Sequence, residues 1–171
     1  HPSVYRVAGL GEWGVSEGLI YENWKVGVKD VKSEKWQNFF GLDYGYSSDP
    51  TAFIAFSVNK ETKEIYIFDE IYKTKMLNSD IARIITQKGY AKERIRADSA
   101  EPKSNDDLKR LGIRRIVPSV KGRDSVINGI MNISEYEITV NPNCKNTITE
   151  LSSYMWEKGE KNIPKDKNNH L

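Results

Sequence analysis

Three apolar runs joined by short turns, followed by an abrupt change of hydrophobic period, constrain this chain more than any other feature. Phe39-Phe40-Gly41-Leu42-Asp43 reads as a short strand that ends in an acid and a turn, Tyr44 to Pro50. Ala52–Val58 is a second strand, residues 59–63 supply a turn, and Glu64–Glu70 is a third strand. Turns this short between apolar runs predict an antiparallel meander. The period then changes. Leu77, Ile81, Ile84 and Ile85 follow the i, i+4, i+7, i+8 pattern of an amphipathic helix, with Asn78 or Ser79 as its cap. Arg94–Asp98 is a short strand that again ends in an acid, and Ser104–Gly112 is a helix with acids early, bases late and glycine at its end. Ile113–Pro118 is a fifth strand. Ser125–Ser134 and Asn146–Trp156 read as helices, with a small strand at Glu137–Val140 between them. The order is βββ, then αβαβ, then more helix. This predicts an α/β fold with a mixed five-stranded sheet and helices on both faces.

The length of 171 residues suits one such domain. Residues 1–37 differ from the rest: Tyr5 to Gly14 is rich in glycine and aromatics and has no clean period, so the stretch reads as a lead-in from something upstream. Charge excludes a disordered polyelectrolyte, because 26 Lys/Arg against 24 Asp/Glu leave only +2. The near-zero total hides an imbalance. Residues 73–123 hold 14 Lys/Arg against 6 Asp/Glu, a net of +8, so the other 120 residues carry −6. Such a distribution steers a polyanion towards one face, although solvated helix faces produce the same count. No apolar run is long enough for a membrane-spanning helix, and the lone Cys144 fits a reducing cytoplasm.

Asp43 and Asp98 share one arrangement, an apolar strand that delivers an aspartate at its carboxyl end. Sites in open α/β sheets form outside those strand ends. If the two strands are parallel neighbours, the carboxylates meet in one crevice, and their repulsion is relieved by a proton or a divalent cation. Oxygen ligands favour Mg²⁺ or Mn²⁺ over zinc. Taken singly, each aspartate reads equally well as the cap of a following turn.

These residues resemble a known family. Phe40 to Ala52, with Gly41-Leu42-Asp43-Tyr44-Gly45-Tyr46-Ser47-Ser48-Asp49-Pro50, resembles the first acidic motif of the nuclease domain of tailed-phage terminase large subunits. Arg96-Ala97-Asp98-Ser99-Ala100-Glu101-Pro102-Lys103-Ser104 is similar to that family's second motif, and Asn168-Asn169-His170-Leu171 to the start of its third. The lead-in Tyr5 to Tyr21 is similar to the connection from the packaging ATPase to the nuclease. The likeness covers essentially the whole chain and is nearest to headful-packaging phages of Gram-positive hosts.

The resemblance implies a ribonuclease H-like fold, three antiparallel strands before two parallel ones, for residues 38–171, behind an absent upstream ATPase domain. It implies a metal-dependent endonuclease that cuts concatemeric double-stranded viral DNA during genome packaging in the host cytoplasm. The small terminase subunit and portal protein are its implied partners. Two-metal hydrolysis with Mg²⁺ or Mn²⁺ follows, with Asp43 and Asp98 as ligands, Asp43 between both ions, and His170 beside them. The family's third aspartate lies a few residues beyond the Asn-His pair, past Leu171, so the C-terminal helix is expected to be missing.

Weaker candidates surround the pair. Lys103, at a helix N-terminus, and Lys121 and Arg123, on a basic turn after the fifth strand, are candidate phosphate contacts. Asp49 is a candidate outer-sphere ligand or plain turn chemistry, Glu70 at the end of the third strand either approaches the site or, as expected, faces solvent or pairs with a lysine, and the tryptophans read as packing aromatics. Nothing resembles a recognition helix, so cleavage with little sequence preference and steep salt dependence is expected. No phosphate-binding Gly-Lys-Ser/Thr loop occurs. The rivals are another ribonuclease H-like nuclease, such as a resolvase or transposase core, and a non-catalytic module that docks on DNA or portal.

Overall fold

The computed structural model describes residues 18–120, 122, 125–157 and 160–164. The meander is present: β2 (Trp36–Asp43), β3 (Thr51–Asn59) and β4 (Glu64–Lys73) pair antiparallel in chain order. The chain then runs through α1 (Asn78–Gln87), β5 (Ile95–Ala97), α2 (Pro102–Arg110), β6 (Ile116–Pro118), α3 (Ser125–Ser134), β7 (Glu137–Val140) and α4 (Lys145–Ser153). β5 adds to β2 in parallel, and β6 adds to β5 in parallel.

The expected five strands, however, are only part of the sheet. β7 pairs parallel to β4, and β1 (Trp24–Val26) pairs parallel to β7, giving seven strands in the order β1-β7-β4-β3-β2-β5-β6. β1 lies within the stretch read as a lead-in. A three-residue strand shows no period of its own, and only its long-range pairing makes it one. A separate antiparallel pair, β8 (Trp156–Glu157) and β9 (Glu160–Pro164), follows α4.

Element ends moved for local reasons. α1 is capped by neither Asn78 nor Ser79: Leu77 is the N-cap residue, and its N–H donates to the Asp80 carboxylate at 3.2 Å. α2 starts earlier than expected, with Pro102 in the first turn where a missing N–H costs nothing. It ends at Arg110, and Gly112 just beyond, with a φ of 101°, lets the Ile113 N–H turn back to the Leu108 carbonyl at 2.9 Å. That turn delays β6 to Ile116. α4 stops at Ser153, because the Tyr154 carbonyl and the Trp156 N–H bond instead to Ile20 and Gly18, at 3.0 Å each.

Two cores occupy the two faces of the sheet. One holds Phe40, Leu42, Phe53, Ile81, Ile85, Ile95, Ala97 and Leu108 between the sheet and α1 and α2. The other gathers Trp24, Ile65, Ile67, Ile138, Val140, Cys144 and Ile148, with Ile133 and Leu151, under α3 and α4. Trp24 is fully buried, as a packing aromatic should be. No helix among the described residues is long and apolar enough to cross a membrane.

Candidate metal centre

Strand pairing brings the two sequence-nominated aspartates together. Leu42 is opposite Ala97 in the parallel β2–β5 ladder, so Asp43 and Asp98 follow side by side at the carboxyl ends of neighbouring strands. The Asp98 N–H donates to the Leu42 carbonyl at 3.2 Å, which carries the ladder up to the acids themselves. Adjacent strands lie about 4.8 Å apart. Leu42 and Ala97 are buried in the core under α1 and α2, so the period-two pleat turns Asp43 and Asp98 to the opposite face, where both are half-buried.

The turns behind the acids are held firmly. After Asp43, the Gly45 carbonyl accepts the Thr51 hydroxyl at 2.8 Å, and the Gly45 N–H donates to the Thr51 hydroxyl oxygen at 3.3 Å. A Cβ on Gly45 would meet the carbonyl oxygens of Asp49 and Pro50 at 2.3 Å each, so no other residue fits without moving the loop. After Asp98, its carboxylate accepts the Ala100 N–H at 3.0 Å and leads the chain into α2. Asn105, buried in α2, ties the two motifs. Its Nδ2 donates to the Asp98 carbonyl at 3.1 Å, and its Oδ1 accepts the Tyr44 hydroxyl at 2.8 Å. Burial, then the charges of Glu101 and Asp98, push that phenol well above its ordinary range, so Tyr44 remains a donor.

The other candidates divide. Lys103 is exposed in the first turn of α2, and Asp49 is exposed in the turn after Asp43. Lys121, Arg123 and His170 lie outside the described residues. Glu70 neither faces solvent nor pairs with a lysine. Its Oε1 accepts the Asn146 N–H and Nδ2 at 2.9 and 2.8 Å, and its Oε2 accepts the Thr147 N–H and hydroxyl at 2.8 and 2.7 Å, so it caps α4 from another strand. On the same row as Asp43, two strands over, Tyr72 donates to the buried Glu150 at 2.9 Å. Burial, then that bond, push the Tyr72 phenol up to about 12.

Sequence reasoning missed Tyr44 and Asn105, which are 61 residues apart and announced by no local pattern. Among the described residues no group of three or more His, Cys, Asp or Glu gathers round one point. The Asp43–Asp98 pair is an all-oxygen donor set. It fits a hard cation such as Mg²⁺ or Mn²⁺, which keeps several waters and takes one or two carboxylates from a protein.

A profile of the terminase RNase H-like domain matches residues 43–170, spanning both acidic motifs. The chain belongs to that family. The large terminase subunit of Bacillus phage SPP1 is 34% identical over 179 residues, which span 97% of this chain and 42% of that subunit. The chain thus spans less than half the length of this curated relative. The solved nuclease domain of the SPP1 large terminase, with bound Mn, is similar at a TM-score of 0.80 and 31% identity, over 89% of this chain and 92% of that one. The phage P22 large terminase nuclease domain aligns with a TM-score of 0.68 at 16% identity, over 91% and 87% of the two chains, and shows the fold alone. Like these relatives, the chain has a ribonuclease H-like mixed sheet. In this chain the five strands expected from the sequence form the run β4-β3-β2-β5-β6, and β7 and β1 continue it.

Proposed function

We propose that this chain is a divalent-metal-dependent DNA endonuclease that cuts double-stranded DNA with little sequence preference, as the cleaving part of a phage terminase large subunit during genome packaging. The observation that carries this reading is the in-register Leu42–Ala97 pairing, which sets Asp43 beside Asp98 on one face at the carboxyl end of a ribonuclease H-like sheet. The Mn-bound relative supports the choice of ion.

Asp43 and Asp98 would hold Mg²⁺ or Mn²⁺. When bound, such ions polarise a phosphoryl oxygen and make a bound water acidic enough to attack at neutral pH. The reaction is hydrolysis: water adds to phosphorus, the bond to the 3′ oxygen breaks, and that oxygen takes up a proton. Asn105 and Tyr44 keep the Asp98 backbone in place. The Gly45–Thr51 turn does the same after Asp43. By family likeness His170 is a candidate for the metal site, and Lys103, Lys121 and Arg123 are candidate contacts to the DNA backbone. A packaging ATPase domain belongs to the same large subunit, the portal and small terminase subunit are partners, and the work is done in the cytoplasm of the infected host.

Plasmid nicking tests the reading. Supercoiled DNA should be nicked with Mn²⁺ or Mg²⁺ by a chain that carries the family's third aspartate, weakly or not at all by the 171 residues alone, and left intact with chelator. Asp43→Asn and Asp98→Asn should each lower the rate about 10²-fold or more, the loss of several kcal/mol of transition-state stabilisation, with unchanged melting. Wild-type nicking by either variant overturns the assignment. Equal results for every protein and condition favour the docking module instead.

A further inference from the structure

We propose that Arg96, with Arg94 beyond it, forms a phosphate-binding track that holds the DNA strand on the open sheet face beside Asp43 and Asp98. The proposal rests on the nuclease reading above and assigns where its polyanionic substrate lies.

The basic middle segment marks a candidate region, and the structure sorts its cations. Four of those on or beside the helices are answered locally: Arg83 pairs with Asp80 at 3.2 Å, Lys109 with Asp106 and Arg110 with Asp107 at 3.4 Å each, and Lys88 reaches Asp69 at 2.6 Å, while Lys103 stands exposed on the first turn of α2. Arg115 donates to the Lys92 carbonyl at 3.2 Å. Among the described residues neither Arg94 nor Arg96 forms an ion pair, and both are exposed.

Their direction follows from the pleat. Ile95 and Ala97 are buried under α1 and α2, so Arg96 between them projects on the opposite face, with exposed Arg94 just before the strand and Asp98 just after it, where the Asp98 N–H continues the ladder to the Leu42 carbonyl. This opposite face is also that of Asp43. α3 and α4 pack on it over β1, β7 and β4, at the far side of the sheet. Across the ladder from Arg96 stands Gly41, which has no side chain to wall off the guanidinium from the strand that carries Asp43. A Cβ there would sit 3.3 Å from Ile54 Cγ2, so the floor at this point is tight against β3 and low towards solvent.

A guanidinium is always charged and presents a planar fork that matches phosphate oxygens. One such group two residues before a metal-binding carboxylate, on the same face, is placed to hold a phosphate next to the one being cut. The contact is with the backbone, so it positions the strand without reading bases.

Binding of a labelled duplex to the 171-residue chain, in chelator so that no cleavage occurs, tests the track as salt is varied. Arg96→Ala should weaken binding equally on unrelated sequences and lower the slope of log affinity against log salt by about one. Arg96→Lys should keep most of the slope. Arg110→Ala, on the opposite face, should bind like the parent, and all three should melt like it. A parent that neither binds the duplex nor, when extended to carry the third aspartate, nicks plasmid with Mn²⁺ overturns both the nuclease reading and the track. A parent that binds and, so extended, nicks, with an Arg96→Ala variant of unchanged affinity and salt slope, overturns the track alone.

Discussion

Glu70 shows how much one carboxylate's role depends on what the fold sets opposite it. It sits on β4, yet all four hydrogen bonds of its carboxylate go to the first turn of α4, some 76 residues along the chain. There it meets two orphan backbone N–H groups and the positive end of the helix dipole. Glu70→Ala should cost about 1–3 kcal/mol in urea denaturation, the range for hydrogen bonds to a charged group. An unchanged midpoint would mean that water caps the helix as well. Residues differ sharply in how well they could be read beforehand. Asp43 and Asp98 were legible because each ends its own apolar strand, a purely local signature. Glu70, Tyr44 and Asn105 were not, because their partners are distant in sequence.

At the scale of elements, the turn from β2 to β3 is the part of the site with least freedom. The chain must reverse within a few residues of Asp43, and it does so by packing the Asp49 and Pro50 carbonyls against the Gly45 Cα. Gly45→Ala should force the backbone apart at a cost of about 1–3 kcal/mol. Plasmid nicking should fall with it, since the displaced loop is the one that follows Asp43. A variant that melts and nicks like the parent would show that the loop yields freely. Elements with a strong period were read well, the meander and α3 above all. Their ends were read less well. α4 gives up its last turn to an antiparallel bridge between Leu19 and Met155, and β6 waits for the Gly112 turn to finish. Such ends are settled by hydrogen-bond competition between segments, which no window of sequence contains.

For the whole molecule, two cores share one sheet, and neither can be lost without exposing the strands that serve the other. Trp24→Ala in one core and Ile85→Ala in the other should each cost several kcal/mol, about 3–5 for the tryptophan and 2–5 for the isoleucine. Both should shift the same single transition, followed by circular dichroism in urea. A Trp24→Ala variant that leaves the main transition in place would show β1 to be an appendage, as the lead-in reading has it. By itself the sequence determined the order of elements, the alternation of buried and exposed faces, and the two acids, because propensity and period are set by near neighbours. Only the tertiary structure decided which strands are adjacent, that β1 and β7 extend the sheet, that Asp43 and Asp98 share a register, and that Arg96 shares their face. Those outcomes depend on pairing between segments tens of residues apart, where the burial of both sheet faces at once selects one register among many.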